Sequence, residues 1–417
     1  MTVELPESKA GGTLPAEFCT RPGPNPYPSY AAAREQSPVH PIDYPNPAEA
    51  YVVTDYETVV QAFTDPRLSK SVDNAPGFFR DALRESSPVL IKNMLTSDPP
   101  KHTRLRKLLG NAFVPRRLKL LRPRVQEITD DLIDALPETG VVDLYNDFAL
   151  PLPMRVICEF LGVPPEDRDV LHDWGMVLSN APYADEEGNR RLKEASEGIE
   201  SYLLAHMSAR RADPREDLTS VVLRSADEEG GGYTDDEIVS TLVLLVIAGH
   251  KTTSNLIGNG TQALLRHPEQ FRLLLDRPEL VTTAIEEFLR YEGPVYRAPQ
   301  RFASEDMDIA GHPVGRNSVV HLMLNSANRD PAVFEDPDRL DITRKPNRHL
   351  SFGYSVHFCP GAPLSRVEGD VAFTTLLRRL PGLRLAVPDD QVPWRYDNSA
   401  SRGVERLPIT YDRRLPR

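Results

Sequence analysis

Apolar residues recur at helical spacing over most of the chain. Apolar positions three and four residues apart predict helices, here at about 28–35, 56–64, 102–112, 116–136, 152–161, 166–178, 189–211, 235–265, 268–276, 280–291 and 362–379. Strand-like runs are fewer and shorter, at 39–42, 50–53, 302–309, 318–324, 384–386 and 407–411. Because helices dominate and the strands lie towards the outer parts of the chain, the pattern predicts a mainly α-helical fold with small β-sheets.

The predicted helix near the middle of the chain has a clear start and an unusual second half. Thr234 and Glu237 have the spacing of a capping box, which satisfies free N–H groups at a helix start. Residues 238–248 are apolar nearly all round, as in a helix that crosses an interior. Residues 249–255 then turn polar. Two interpretations follow: the helix emerges into solvent, or it is deformed where it lines a reaction cavity.

Composition narrows the possible function classes. The 417 residues include 49 basic and 61 acidic side chains, a net charge of −12, which argues against a general nucleic-acid binder. The 39 prolines are dispersed and form no linker. We find no repeat of solenoid length, and we expect one domain over residues 1–417.

The cysteines and the apolar runs bear on the compartment. Cys19, Cys158 and Cys359 are far apart and form no CxxC pair, which favours a reducing compartment. The amino terminus has no apolar signal-peptide region. The longest strongly apolar stretch, Leu242 to Ala248, has seven residues, against the roughly 20 that a membrane helix needs. We therefore expect a soluble, cytoplasmic protein.

Cys359 lies in a loop rich in small and aromatic residues, just before a predicted helix that begins near Ala362. A thiolate there would face the N–H groups and the positive end of the helix dipole. Phe352 and Phe358 could exclude water from the sulfur. The alternative is a buried, inert cysteine, which is how most single cysteines behave.

This loop resembles the haem-ligand signature of the cytochrome P450 family, F-G-x-G-x-H-x-C-x-G. The matching positions are Phe352, Gly353, His357, Cys359 and Gly361. The resemblance implies that Cys359 is the iron ligand of a b-type haem. Ser355 stands where the family has glycine. Because serine resists positive φ, we expect the turn to differ slightly, with ligation retained.

Further motifs extend the resemblance over nearly the whole chain. Glu287 and Arg290 resemble the family's E-x-x-R pair, and Arg339 resembles its third member, which implies a buried brace for the cysteine loop. His102 and Arg106 resemble the family's H-x-x-x-R. With Arg301 and His357 they are implied to contact the haem propionates, for which arginine geometry is well suited. Phe352, Ala248 and Gly249 are also implied to contact the haem.

Residues 248–252, Ala-Gly-His-Lys-Thr, resemble the family's oxygen-binding segment, A-G-x-(acid)-T. The resemblance implies a catalytic role for the Thr252 hydroxyl. Lys251 replaces the usual acid, and three interpretations stay open. The lysine pairs with a carboxylate on a neighbouring helix, or it carries protons itself because burial lowers its pKa, or the enzyme tolerates slow proton delivery.

Between Lys101 and Arg124 there are nine basic residues and no acidic residue. Such a block can attract an acidic partner. In the family this region docks a ferredoxin, which implies a ferredoxin and an NAD(P)H-dependent ferredoxin reductase as partners. The alternative is a solvated basic helix face. No nucleic-acid motif accompanies the block.

By this resemblance the fold is the P450 fold, with haem between the long central helix and the cysteine loop, and the chain a monomer. The implied reaction is the oxidation of a small natural-product intermediate with O2. Oxidative coupling or cyclisation, and a peroxide-driven reaction, are the alternatives, while a haem sensor or electron carrier would need neither Thr252 nor a substrate cavity. The expected substrate contacts are Met94, Leu244, Val295, Tyr296 and Ala400.

Overall fold

The computed structural model describes residues 12–43, 48–109, 112–179, 186–228, 232–396 and 400–417. The α-helices are α1 Glu17–Thr20, α2 Tyr27–Gln36, α3 Tyr56–Thr64, α4 Gly77–Ser86, α5 Lys101–Lys107, α6 Pro115–Asp134, α7 Pro151–Leu161, α8 Arg168–Ser179, α9 Glu186–Ala212, α10 Leu218–Glu228, α11 Asp235–Arg266, α12 Pro268–Asp276, α13 Val281–Tyr291, α14 Leu324–Ala327 and α15 Ala362–Arg379. The mainly helical prediction is confirmed. The helix expected at 102–112 is shorter, and its residues 110 and 111 lie outside the described ranges, as do the amino-terminal residues 1–11.

The strands are short and form small sheets. They are β1 Leu14–Pro15, β2 Val39–Asp43, β3 Ala50–Val53, β4 Leu68–Ser69, β5 Gly140–Asp143, β6 Arg301–Ala303, β7 Met307–Ile309, β8 His312–Val314, β9 Val319–Leu322, β10 Arg384–Leu385, β11 Trp394–Tyr396, β12 Arg402–Val404 and β13 Pro408–Tyr411. One sheet has the order β1-β2-β3-β9-β6-β4 and another β10-β13-β5, and β11 with β12 and β7 with β8 form hairpins. The single strand expected at 302–309 is two strands, because Ser304, Glu305 and Asp306 separate them.

Helix α11 is central to the packing. It contacts α7, α8, α9, α13 and α15. The predicted capping box is confirmed, since the Thr234 side chain accepts from the Glu237 N–H and the Glu237 carboxylate accepts from the Thr234 N–H. Close packing requires two of its glycines. A Cβ at Gly258 would lie 2.8 Å from the Tyr145 ring, and one at Gly260 would lie 2.8 Å from the rings of Phe288 and Phe373.

The polar half of α11 stays inside the protein and stays helical. Residues 250–264 are almost all buried, and the helix is continuous through Gly249. The Thr252 hydroxyl donates to the Ala248 carbonyl at 2.9 Å, and the Ser254 hydroxyl donates to the His250 carbonyl at 2.7 Å. These bonds to carbonyls one turn back satisfy the hydroxyls without breaking the helix. The interpretation of a helix that emerges into solvent is therefore wrong, while the helical assignment runs unbroken through the segment that was expected to line a cavity.

No helix among the described residues is long and apolar enough to span a bilayer.

Candidate active site

The cysteine loop leads directly into α15. The Cys359 N–H donates to the Phe352 carbonyl at 2.9 Å, and this hydrogen bond joins the two ends of the loop 352–359. Burial raises the pKa of the Cys359 thiol, while N–H bonds from Gly361 and Ala362 act in the opposite direction. The two N–H groups at the helix start favour negative charge on this sulfur, as the sequence predicts, but in the thiol burial outweighs them.

The turn before Cys359 keeps a left-handed backbone despite its serine. Gly353 has φ 72° and Ser355 has φ 58°. A left-handed conformation costs a residue with a Cβ about 1–2 kcal/mol. The loop accepts this strain at Ser355, and the expected slight difference from the family's turn stays a prediction.

Arg106, at the end of α5, supports this loop. Its guanidinium donates to the carbonyls of Val356 at 3.1 Å and Phe358 at 2.8 Å. The side chains of Val356 and Phe358 are exposed, as is that of Tyr354. The predicted haem contact of Arg106 stays a prediction, and the structure adds that Arg106 holds the cysteine loop against α5.

The buried charged group that sequence predicted around Glu287 exists, with one member changed. The Arg290 guanidinium donates to both Glu287 oxygens at 2.7 and 2.8 Å, and both side chains are fully buried. The third member is Arg344, whose Nε lies 3.2 Å from Glu287 Oε2. Arg339 is exposed and contributes its backbone carbonyl, which accepts from Arg290 at 3.0 Å. The assignment of Arg339 was therefore wrong. A turn closed by the Arg344 N–H and the Asp341 carbonyl places the Arg344 side chain at Glu287, and no local sequence pattern predicts this turn. We call Glu287, Arg290 and Arg344 the glutamate brace.

A second ion pair, which sequence analysis missed, lies beside the loop. Arg366 of α15 donates to both oxygens of Glu286 at 2.7 and 2.8 Å, and its guanidinium lies over the Phe352 ring at 4.7 Å. His349 Nε2 lies 3.1 Å from Glu286. Burial alone would raise the pKa of Glu286, but the hydrogen bonds from Arg366 and His349 lower it to about 2. Phe352 is therefore held in place by a cation.

Four basic side chains converge near the other end of the loop. We call Lys70, His102, Arg301 and His357 the cationic cluster; the first three are buried. The rings of His102 and His357 lie 4.3 Å apart. Neither nitrogen of His102 has a hydrogen-bond partner, nor does Arg301 Nε. Burial first, then the charges of Lys70 and Arg301, lower the pKa of His357 to about 2.

The acidic side chain near this cluster, Asp98, already accepts hydrogen bonds from neutral groups. The Asp98 carboxylate accepts from the N–H groups of Lys70 at 2.8 Å and Ser71 at 3.2 Å, and from the Ser69 hydroxyl. Buried cations without a counter-ion are costly. The Asp98 charge acts on Lys70, His102 and Arg301 without pairing directly with any of them, so a single carboxylate faces several basic groups and the cluster suits a further anion.

Helix α11 has one open stripe on an otherwise buried surface. Ala248 is exposed although it lies in the middle of the helix, and Leu244 and Thr252, one turn away on either side, are partly exposed. Residues four apart share a helix face. This side of the middle of α11 is therefore not covered by other side chains of the described chain.

Lys251 points to the side of this stripe, towards α8. It is 3% exposed, and its charge contributes to lowering the pKa values of His172 and His250, after burial. His250 is held by its Nδ1 at 2.8 Å from the Val246 carbonyl, and its ring lies 5.3 Å from that of His172.

The remaining expected substrate contacts lie in different surroundings. Val295 forms an isolated bridge with Ser401, and the Tyr296 N–H donates to the Ala400 carbonyl at 3.0 Å. The Tyr296 hydroxyl donates to the Cys19 carbonyl at 3.1 Å, so the phenol is engaged on the side away from α11. Met94 packs in the core around α11. Their contact with substrate stays a prediction.

The sequence profile described as Cytochrome P450 matches residues 169–276 and 274–402, more than half of the chain. The chain belongs to the cytochrome P450 family. It is 43% identical over 387 residues to the vitamin D(3) 25-hydroxylase of Pseudonocardia autotrophica, covering 93% of this chain and 94% of that one. It is 41% identical over 406 residues to the cytochrome P450 monooxygenase PikC of Streptomyces venezuelae, covering 96% and 94%.

A solved structure is also closely similar. The P450 enzyme CxnD, described as acting in C–S bond formation in chuangxinmycin biosynthesis, superposes with a TM-score of 0.93 at 50% identity, covering 99% of this chain and all of that one. The P450 fold is therefore confirmed, and the chain is a P450 monooxygenase.

P450 enzymes carry a haem-thiolate cofactor, and the residues present fit it. A thiol at a helix start, with two N–H groups on its sulfur, suits an anionic iron ligand. The cationic cluster, with orphaned donors on His102 and Arg301, suits the two carboxylates of haem. Sequence analysis found three of the four cluster members and missed Lys70, which carries no motif.

Proposed function

We propose that this P450 oxidises a small natural-product intermediate, by hydroxylation or a related oxidation, with O2 and with electrons from a ferredoxin and its NAD(P)H-dependent reductase. Cys359 holds the iron as thiolate, and His102, Arg106, Arg301 and His357 hold the propionates. Bound haem supplies oxygen activation, which thiolate donation favours. The name of the vitamin D(3) 25-hydroxylase supports the oxidation of a small organic molecule, and that of PikC supports a monooxygenase.

The observation that carries the proposal is the open stripe of α11. Leu244 and Ala248 offer an apolar wall, against which the hydrocarbon part of a substrate is bound by burial of its surface. Because the Thr252 hydroxyl donates its proton to the Ala248 carbonyl, its oxygen can accept a hydrogen bond from a proton donor in the space beside the helix. Thr252 thereby positions a proton next to the bound substrate.

The surface around the cysteine loop supports an electron-donating protein partner. Arg104 pairs with Glu237, Arg122 with Asp370, and Arg124 with Glu127 and Glu159. Lys101, Lys107, Arg116 and Lys119 are exposed, and the exposed Tyr354, Val356 and Phe358 add apolar area. A basic surface with apolar side chains matches an acidic protein, because charge directs the encounter and apolar contacts hold it.

A test of this docking surface uses charge reversal. Lys107→Glu and Arg116→Glu should slow reduction by ferredoxin, and the slowing should diminish with salt because screening shortens from ~10 Å at 0.1 M to ~3 Å at 1 M. Lys193→Glu, an exposed lysine on α9, is the matched control. A reduction rate that changes neither with charge reversal nor with salt would contradict the docking surface.

A second candidate function is oxidative coupling or ring closure. CxnD, which is 50% identical, is described as forming a C–S bond, and Lys251 stands in this chain where the family has an acid. Lys251→Glu and Lys251→Ala separate the two candidates by product identity and by peroxide released per NAD(P)H. If Glu shifts the products towards hydroxylation, the lysine limits proton supply. If neither variant differs from the parent, Lys251 has no part in the chemistry.

The experiment that tests the main proposal is a metabolite titration. Each candidate is added to the ferric protein while the Soret band is followed, and the metabolites that shift the band are then assayed for product with ferredoxin and, separately, with peroxide. Cys359→Ala should lose the spectrum typical of the reduced, CO-bound thiolate haem, and Cys158→Ala should keep it. Turnover with peroxide alone would favour the peroxide-driven alternative.

A further inference from the structure

Lys70 is a buried lysine to which no motif points. It follows strand β4 and is 7% exposed. Its Nζ donates to the carbonyls of Pro299 at 3.0 Å and Gln300 at 2.8 Å. Among the described residues no carboxylate lies within ion-pair distance of this ammonium group, since the Asp98 carboxylate binds backbone N–H groups and a hydroxyl instead.

The sheet register places Lys70 beside Arg301. Strand β4 pairs antiparallel with β6, with Leu68 opposite Ala303 and Ser69 opposite Phe302. The next position along each strand sets Lys70 opposite Arg301, whose guanidinium donates to the Leu68 carbonyl at 2.9 Å. Directly opposed residues have Cβ atoms about 4.5–5.5 Å apart. Two buried cations side by side repel each other unless an anion lies between or beside them.

We propose that Lys70 is a further member of the haem-carboxylate site, and that its ammonium group binds a haem propionate together with Arg301. An ammonium group has three donors, and two of them are used by the carbonyls of Pro299 and Gln300. One donor is therefore left for a carboxylate. The effect of the Lys70 charge on His357 agrees with this position.

This arrangement also links haem binding to the segment around the substrate. Lys70 immediately precedes residues 71–98, which include Met94. The two carbonyls that accept from Lys70 belong to residues 295–300, which include Val295 and Tyr296. A propionate on Lys70 therefore stabilises the junction of the two stretches. The inference rests on the haem of the family and not on the proposed substrate or ferredoxin, so it can be tested without either.

The test compares haem loss from variants at position 70. Haem transfer from the holoprotein to excess apomyoglobin should be about tenfold faster for Lys70→Met, the factor that corresponds to about 1.4 kcal/mol. Lys70→Gln, which keeps donors for the two carbonyls but loses the charge, is the second variant if Lys70→Met does not fold. The control is Lys92→Met. It removes an exposed lysine of residues 71–98 that pairs with Asp236 of α11, and it should leave the rate of haem loss unchanged.

Haem dimethyl ester separates a propionate contact from a general loss of packing. Its carboxylates are esterified, so the parent protein and the Lys70 variants should lose it at rates within about twofold of each other. If the variants lose ester and haem with the same acceleration, Lys70 is only structural and the inference is wrong. It is also wrong if both variants retain haem as the parent does, which would leave Lys70 to bind a different anion.

Discussion

The glutamate brace and the cationic cluster are two buried charged groups near the same loop, and they differ in how completely the chain satisfies them. In the brace, the Glu287 oxygens accept from Arg290, from Arg344, from the Asp341 N–H at 2.9 Å and from the Asn347 amide at 3.1 Å. In the cluster, His102 and Arg301 retain donors without partners. Buried polar groups are normally paired, so a group that folding alone completes is structural, and one that folding leaves incomplete binds a ligand.

The largest expected effect tests the structural side of this comparison. Glu287→Ala leaves Arg290 and Arg344 without their carboxylate, and breaking a buried pair from one side costs about 3–5 kcal/mol. Denaturant unfolding of the holoprotein measures the loss. Glu279→Ala removes one partner of the exposed pair with Arg277 and should cost no more than about 1 kcal/mol. Equal losses would show that the brace is no more important than a surface pair.

The identity of the third brace member gives the next effect. Arg344→Ala removes a buried, charge-assisted hydrogen bond to Glu287 and should cost about 1–3 kcal/mol. Arg339→Ala keeps the backbone carbonyl that Arg290 uses and should stay within about 0.5 kcal/mol of the parent. The same unfolding measurement decides between them, and the reverse order would restore the motif-based assignment of Arg339.

Acid titration tests Glu286, the neighbour of the brace. Its pKa is lowered from 4.5 to about 2 in the folded protein, so the stability it contributes is complete above pH 4.5 and is lost as the pH falls towards 2. The difference in free energy of unfolding between the parent and Glu286→Gln should therefore be constant near neutral pH and shrink below pH 4.5. A difference that does not change with pH would show that Arg366 and His349 do not stabilise the carboxylate.

The smallest expected effect is at Ser355. Ser355→Gly relieves the left-handed strain but gives the unfolded chain more freedom, so the net gain should be at most about 1 kcal/mol. Gly353→Ala introduces a Cβ at φ 72° and should destabilise. A clear loss in Ser355→Gly would mean that the serine contributes an interaction that outweighs the strain.

Sequence predicted well what is local and poorly what depends on distant contacts. The capping box at Thr234 and the extent of α11 follow from spacing within one segment, and both are confirmed. Helices α4 and α10 were missed, although α10 buries Leu218, Val221, Val222 and Leu223. Lys70 and Arg344 lack any motif, and their partners lie 229 and 57 positions away. Their roles arise only when the fold brings the segments together.

The glycines of α11 divide this helix into positions that engineering can change and positions it cannot. At Gly258 and Gly260 a single added carbon meets aromatic rings at 2.8 Å, so a combinatorial library that randomises them consists mostly of chains that cannot pack. Leu244, Ile247 and Ala248 are not fully buried and accept side chains of different size. A mutant library made to find new substrates should therefore vary those three positions and keep the two glycines.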